Sequence, residues 1–278
     1  METFATAALI SAEQLAEQLA EVVQPVVIDC RFVLGQPAAG REQYLQGHIS
    51  GAHYLHLEAD LSGPVGRHGG RHPLPDPAQL AATLAALGVD KETPVVAYDD
   101  SRFAFAARFW WLLRALGYRA PALLNGGYAA WLAAAGAVEQ GMSPAAQPCA
   151  VPAVTAYRGV VNIQDLAELQ AAGAVLVDSR DPARFAGLEE PLDPFAGHIP
   201  GAVNLPWQGT SDTQGFLLAD AGLKQHAATL PAGGPRVVYC GSGVTACVNL
   251  FALARQGDEG ALLYAGSWSD WCSYLPAD

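Results

Sequence analysis

Short apolar runs alternate with longer amphipathic stretches along the chain. The apolar runs lie near residues 26–31, 94–99, 174–180 and 236–240, and their length and composition predict buried strands. Apolar positions at helical spacing follow them, as in residues 76–87, 103–116 and 247–255. Strands that alternate with helices in this way predict an α/β fold with a mainly parallel sheet flanked by helices.

Two polar residues mark where helices begin. Ser11 is followed three positions later by Gln14, which is a capping-box pattern, and it predicts a short helix before the first strand. Asn162 opens the corresponding helix in the second half of the chain.

The second half of the chain repeats the first. Four pairs of segments match in order, the first two separated by 149 or 150 positions and the last two by 141 or 140. The pairs are Asp29-Cys30-Arg31 with Asp178-Ser179-Arg180, Gly47–Ala52 with Gly197–Ala202, the strand before Asp99 with the strand before Cys240, and Gly126–Trp131 with Gly266–Trp271. A nearly constant offset indicates duplication of one domain.

The repeat predicts how the chain divides. Residues 1–142 form an N-terminal domain, residues 143–157 a linker, and residues 158–278 a C-terminal domain, because the stretch from Gly141 to Pro148 has the composition of a linker. His48 and His198 occupy equivalent positions in the two halves, and one of these halves lacks the cysteine. We therefore expect both histidines to have a structural role. Trp131 and Trp271 are expected to pack in a core or between the domains.

Cys240 is the strongest candidate for a catalytic residue, and the matching position of the first half holds a different residue. It directly follows a strand, and Gly241-Ser242-Gly243 leads from it into a helix. Ligands bind at the carboxyl ends of such strands, where free backbone N–H groups and the helix dipole favour an anion. We therefore predict a nucleophilic thiolate at Cys240. Asp99 takes the same place in the first half, which predicts that this half is catalytically silent.

Composition narrows the class of protein. The net charge of −12 argues against nucleic acid and anionic membranes as partners, although a small anionic substrate remains compatible with a locally positive site. The five cysteines form no zinc-binding pattern and fit free thiols in a reducing compartment. Without a signal-peptide pattern or an apolar stretch of about 18 residues, a cytoplasmic location is predicted.

These motifs resemble tandem rhodanese domains over nearly the whole chain. The residues that carry the resemblance are the paired Asp-x-Arg, Gly-His-Ile-x-Gly-Ala and terminal Gly-x-x-x-x-Trp segments. The loop Cys240–Ala246 is similar to the active loop of 3-mercaptopyruvate sulfurtransferases. The resemblance implies transfer of sulfur from 3-mercaptopyruvate through a persulfide on Cys240, without a cofactor or metal, to an acceptor such as cyanide or reduced thioredoxin.

The resemblance also implies roles for other residues. Ser242 and His72 would form a relay with Glu58 between the two halves, and Arg184 would bind the carboxylate of the donor. Substrate contacts are also expected from the loop, at Gly241, Gly243, Val244 and Thr245.

One position departs from the family pattern. Many relatives carry a second arginine after a Glu-Pro pair, but Glu190-Pro191 is followed here by Leu192. Arg67 and Arg102 are candidates to replace it.

Three other functions are compatible with parts of the pattern. Thiosulfate is an alternative donor, although relatives that prefer it usually carry basic residues where this chain has Gly241 and Ser242. A phosphatase or arsenate reductase uses Cys-x5-Arg, and Ala246 stands at that arginine position. A non-catalytic sulfur carrier is the third alternative. The histidines at 53, 56, 68 and 72 suggest a metal only weakly, since no acid or cysteine spacing completes a zinc site.

Overall fold

The structure is a computed structural model, and it describes residues 8–276. It contains twelve strands: β1 (Leu9–Ile10), β2 (Val26–Asp29), β3 (His48–Ile49), β4 (His53–Tyr54), β5 (Val95–Tyr98), β6 (Ala122–Leu124), β7 (Val138–Glu139), β8 (Val160–Val161), β9 (Val175–Asp178), β10 (Val203–Asn204), β11 (Arg236–Tyr239) and β12 (Leu262–Tyr264).

The described part of the chain also contains ten α-helices and one 3-10 helix, Trp207–Thr210. The α-helices are α1 (Ala12–Leu19), α2 (Pro37–Gln46), α3 (Pro77–Ala86), α4 (Ala106–Ala115), α5 (Gly127–Ala133), α6 (Ile163–Ala171), α7 (Pro182–Phe185), α8 (Asp220–Ala227), α9 (Ala246–Arg255) and α10 (Ser267–Cys272).

Two five-stranded parallel sheets with the same topology organise the fold. Their strand orders are β1-β6-β5-β2-β4 and β8-β12-β11-β9-β10, so each strand of the first sheet has a counterpart in the second. A separate antiparallel pair joins β3 to β7. The predicted α/β class with mainly parallel sheets and the duplication are confirmed.

The predicted helix starts are present. Ser11 caps α1, with its side chain accepting from the Gln14 N–H while the Gln14 side chain accepts from the Ser11 N–H. Asn162 and Asp165 form the corresponding capping box at α6.

The chain folds into two compact units, and each takes one segment from the other half of the sequence. Unit 1 contains residues 8–62, 75–158 and 211–217, and unit 2 contains residues 63–74, 159–210 and 218–276. The predicted division at residues 142–158 stays a prediction, because these units do not follow sequence order.

The repeated Asp-x-Arg motif has the same structural role in both units. The Arg31 guanidinium pairs with the buried Asp29 carboxylate and donates to the Gly47 carbonyl at 2.7 Å. In unit 2, Arg180 pairs with Asp178 and donates to the Gly197 carbonyl at 2.6 Å. Each arginine thereby ties the end of a central strand to the following Gly-His-Ile turn.

The histidines of these turns are structural, as expected. His48 Nδ1 lies 2.8 Å from the Tyr44 carbonyl oxygen, and its ring stacks on Tyr44. His198 Nδ1 lies 2.8 Å from the Phe185 carbonyl oxygen, and its ring stacks on Phe185.

The two predicted core tryptophans differ in burial. Trp131 is buried in the core of unit 1, whereas Trp271 is only partly buried against the core of unit 2. The buried indole of unit 2 is Trp268, which lies over the Arg180 guanidinium as Tyr128 lies over Arg31.

Glu139 anchors strand β7 in unit 1. Its carboxylate accepts hydrogen bonds from Ser143 Oγ, from the Gly51 N–H at 3.1 Å and from Ser50 Oγ at 3.1 Å, and it lies 3.0 Å from His48 Nε2. These bonds, above all the one from Ser143, lower the pKa of Glu139 to about 2.

We expect Glu139→Gln to lower the free energy of unfolding at pH 7 by about 1–2 kcal/mol, because the charged form makes the stronger bonds. A depressed carboxyl pKa stabilises the protein above its unfolded value near 4.5, and this contribution is lost as the pH falls towards 2. In urea unfolding series, the difference from wild type should therefore shrink between pH 4.5 and 2. Glu42→Gln, at an exposed position of α2, is the control. A difference that does not change with pH would contradict this assignment.

Candidate active site

Cys240 lies at the carboxyl end of β11, in the middle of the unit 2 sheet, and is 2% exposed. Its N–H donates to Ser267 Oγ at 3.1 Å, and its carbonyl accepts from the Trp268 N–H at 3.0 Å. The Gly241 carbonyl accepts from the Ser269 N–H at 2.9 Å. Helix α10 thus fixes the backbone on which the sulfur is mounted.

Gly243 allows the loop after Cys240 to turn. Its φ is +74°, in the left-handed region that favours glycine. A side chain there would also collide with the carbonyl oxygen of Ala265. The backbone conformation therefore favours glycine at this position, and the contact with Ala265 leaves no space for a side chain.

The counterpart of this loop in unit 1 binds an anion of its own. The buried Asp99 carboxylate accepts hydrogen bonds from the backbone N–H groups of Ser101 at 2.8 Å, Phe103 at 3.0 Å, Phe105 at 2.9 Å and Ala106 at 2.9 Å. Burial raises the pKa of Asp99, and the hydrogen bonds from the Ala106, Ser101 and Phe105 N–H groups act against that rise. The loop between β5 and α4 is thus a ring of amide donors around one negative group.

The equivalent amides of unit 2 are available around Cys240. The positions 141 residues further on include Ser242, Val244 and Ala246, and their N–H groups donate to no acceptor within residues 8–276. Thr245 is the N-cap residue of α9, and no side chain makes a capping hydrogen bond there. The loop that directly follows Cys240 therefore carries unused backbone donors.

The two loops are similar but not identical. Arg102 and Gly243 occupy equivalent positions, and both have left-handed backbone conformations, with φ of +58° and +74°. Phe103 has a second positive φ, of +70°, which its counterpart Val244 does not share.

Ser242 and His72 are brought together within unit 2. His72 Nδ1 and Ser242 Oγ share a hydrogen bond of 2.8 Å, and both residues are buried. Their proximity depends on the segment 63–74, which folds with unit 2. The pairing implied by the family resemblance is therefore present in the geometry.

Glu58 belongs to unit 1 and is exposed, and its backbone N–H donates to His56 Nδ1 at 3.1 Å. Its role as the acid of the relay stays a prediction.

Arg184, in the last turn of α7, lies beside the Cys240 loop. Its Nη1 and Nη2 are each 3.4 Å from the position that a Cβ on Gly241 would occupy. Its Nη2 donates to Glu190 Oε1 at 2.7 Å, and its Nε lies 3.2 Å from Glu190 Oε2. The residue predicted to bind the donor carboxylate thus lies next to Gly241, the residue that follows Cys240.

Glu190 fixes the position of Arg184. Burial alone would raise the pKa of Glu190, but hydrogen bonds from Arg184 and from the backbone N–H of Leu192 hold it below its ordinary value. Glu190 also accepts from Arg180 Nη1 at 3.1 Å. The Glu-Pro pair therefore orients a cation, although the arginine expected after it is missing.

Sequence reasoning missed the second cation of this site, Arg71. Its Nη2 is 3.0 Å from the Gly241 Cβ position. Of the two candidates predicted for this role, Arg67 is exposed, and Arg102 donates to Ser211 within unit 1. The sequence did contain a signal for Arg71, because this residue directly precedes His72, which was itself predicted to belong to the site.

The other thiols and histidines supply no further centre. All five cysteines are free, and Cys247 is buried with its Sγ 3.5 Å from the Gly243 carbonyl oxygen. Across residues 8–276, no group of three or more His, Cys, Asp or Glu side chains is arranged to hold a metal ion. No helix in that range is long and apolar enough to span a membrane.

Comparison with known proteins agrees with this geometry. The family model for the rhodanese-like domain matches residues 11–134 and 162–274. The chain is 47% identical to a Pseudomonas aeruginosa protein named "Probable 3-mercaptopyruvate sulfurtransferase", with 96% of this chain and 95% of the relative covered. It is 30% identical to the thiosulfate sulfurtransferase of Bos taurus, with 98% and 94% covered.

A solved structure agrees as well. The 3-mercaptopyruvate sulfurtransferase from Leishmania major superimposes with a TM-score of 0.85 at 31% identity, covering 95% of this chain and 74% of that one. Two copies of the domain model fall on the two halves of the sequence repeat. The chain therefore belongs to the rhodanese sulfurtransferase family, with two rhodanese-like domains in tandem.

Proposed function

We propose that this protein transfers sulfur from 3-mercaptopyruvate to a thiophilic acceptor through a persulfide on Cys240. The Cys240 thiolate attacks the donor sulfur, an S–S bond forms, and the C–S bond breaks with its electron pair leaving on carbon. Pyruvate departs as an enolate that takes up a proton. An acceptor such as cyanide or reduced thioredoxin then removes the outer sulfur and restores the thiolate.

The backbone amides around Cys240 carry this proposal. Their counterparts in unit 1 hold the Asp99 carboxylate through four N–H donors, which supports an anion at the same place in unit 2. The N–H groups of Ser242, Val244 and Ala246 have no acceptor in the described part of unit 2. Donors that are already oriented stabilise negative charge on the thiolate and on the persulfide without reorganisation.

Ser242 and His72 supply a route for the proton. Their hydrogen bond of 2.8 Å involves a serine that stands two residues after Cys240 in the loop. We assign the Ser242 hydroxyl to donor activation or protonation of the enolate, with His72 as its partner. Glu58 remains the proposed acid of this relay on the strength of the family resemblance.

The choice of donor depends on cations at the loop. We assign Arg184 to the donor carboxylate, because a guanidinium binds a planar carboxylate through two parallel hydrogen bonds. Gly241, Gly243, Val244 and Thr245 are assigned to the loop that surrounds the donor. Thiosulfate remains the alternative donor for one reason: Arg71 and Arg184 place guanidinium groups beside Gly241, where the sequence suggested that a sulfonate would find no cation.

Other functions fit the site less well. A cysteine phosphatase would need an arginine at position 246, but Ala246 begins α9 there. A passive sulfur carrier would not need the buried Ser242–His72 pair. A cytoplasmic location stays a prediction, supported by five free thiols.

We expect turnover with 3-mercaptopyruvate to exceed turnover with thiosulfate, compared as kcat/KM with the same acceptor. The physical reason is that a carboxylate matches the paired donors of an arginine, and that the pyruvate enolate can be protonated near Ser242. A preference for thiosulfate of tenfold or more would contradict the assigned donor. Turnover of neither donor would favour the sulfur carrier.

We expect Cys240→Ser to abolish sulfur transfer and persulfide formation, because a serine hydroxyl cannot hold the transferred sulfur as a persulfide. Intact-protein mass spectrometry after donor addition should show one extra sulfur, about 32 Da, on wild type and none on the variant. Cys247→Ser is the matched control, since that thiol is buried in α9. Loss of transfer in both variants would contradict the assignment of a single nucleophile.

A further inference from the structure

The side chain of Arg71 has no role in the function proposed so far, yet its position is closely defined. It lies on the segment 63–74, which folds with unit 2. The Arg71 N–H donates to Ser269 Oγ at 3.1 Å, and the Gly69 N–H donates to Asp270 Oδ1 at 2.7 Å. Both acceptors belong to α10, the helix that also fixes the Cys240 backbone.

The guanidinium of Arg71 meets that of Arg184 at one point of the loop. A Cβ on Gly241 would lie 3.0 Å from Arg71 Nη2 and 3.4 Å from Arg184 Nη1. Neither of these two nitrogens donates a hydrogen bond to any residue that the structure describes. Two unused NH₂ groups therefore lie next to the residue that follows the thiol.

Acidic groups hold Nη1 of Arg71 and both Nε and Nη2 of Arg184. Asp193 accepts from Arg71 Nη1 through Oδ1 and from Arg184 Nη2 at 3.3 Å through Oδ2, and its side chain is only 3% exposed. Glu190 takes the other bonds of Arg184. The carboxylates thus hold both guanidiniums in place while leaving one edge of each unoccupied.

We propose that Arg71 is the second carboxylate-binding residue of the donor site and, together with Arg184, selects donors that carry a carboxylate. This inference rests on the proposed function for the identity of the donor. Two converging NH₂ groups match the two oxygens of one carboxylate, whose recognition by arginine is directional. Arg71 thereby supplies the second guanidinium that is missing at Leu192, where many relatives carry an arginine.

The place of Arg71 in the chain also explains why the sequence alone did not indicate its role. Arg71 comes from the first half of the chain and reaches the site only because residues 63–74 fold with unit 2. Its side chain remains 31% exposed, so a ligand can reach it from solvent.

A pair of alkylating reagents tests the carboxylate site apart from sulfur transfer. Iodoacetate and iodoacetamide both place a CH₂ group on the Cys240 sulfur with loss of iodide, but only iodoacetate carries a carboxylate. We expect Arg71→Gln to slow modification of Cys240 by iodoacetate about fivefold or more and to leave the rate with iodoacetamide within about twofold. Arg71→Lys, which keeps the charge but loses the fork, should lie between wild type and Arg71→Gln.

Arg67→Gln is the matched control, since it removes the same charge from an exposed position of the same segment. It should leave both alkylation rates unchanged. Equal slowing of both reagents by Arg71→Gln, an equal effect of Arg67→Gln, or no modification of wild-type Cys240 by either reagent would overturn the proposal.

Steady-state kinetics separate this inference from the proposed function. With 3-mercaptopyruvate, Arg71→Gln should raise KM about tenfold and change kcat less than threefold, because the lost contact is made in the bound donor as well as in the transition state. If 3-mercaptopyruvate proves not to be a donor while the iodoacetate effect is present, the carboxylate site stands and only the assigned donor is wrong. A change in kcat without a change in KM would count against a binding role.

Discussion

The structure depends on a ring of backbone amides at the carboxyl end of the central strand of each unit. A parallel sheet directs this edge towards the amino end of the next helix, where N–H groups have no partner within the helix. Such donors require a negative group or another acceptor. In unit 1 the group is the Asp99 carboxylate with its four N–H bonds. In unit 2 the residue at the same place is Cys240.

This difference explains how one duplicated fold supports two outcomes. The Asp99 carboxyl group belongs to the chain itself, so the N–H donors of the unit 1 loop are satisfied internally. Under the proposed function, the negative group of the unit 2 loop is a thiolate or persulfide on Cys240, and a thiolate is also a nucleophile. The position that holds a carboxylate in one loop would then hold the reacting sulfur in the other.

The exchange of segments between the halves has a functional consequence. Residues 63–74 bring His72 and Arg71 into the unit that contains Cys240, and residues 211–217 fold with unit 1, where Ser211 accepts from Arg102. His72 and Arg71 therefore come from a different half of the sequence than Cys240 but belong to the same compact unit. The proposed site thus takes residues from both halves of the chain.

Much of this could be predicted from sequence because it follows from local rules. The strand pattern, the caps at Ser11 and Asn162 and the glycine after Ser242 are read from spacing and backbone conformation. The pairing of Ser242 with His72 required the family resemblance. Arg71 was missed because its contact depends on where residues 63–74 pack, and the orienting role of Glu190 depends on three side chains meeting in space.

The most direct test of the amide ring is to observe its N–H groups while the sulfur is loaded. Amide ¹H–¹⁵N spectra of the labelled protein should be compared before and after formation of the Cys240 persulfide. We predict downfield shifts of the Ser242, Val244 and Ala246 amide protons, because each gains a charged acceptor, while the Ser101 and Phe105 amides that bind Asp99 do not move. Shifts at those three amides no larger than at distant positions would contradict the account.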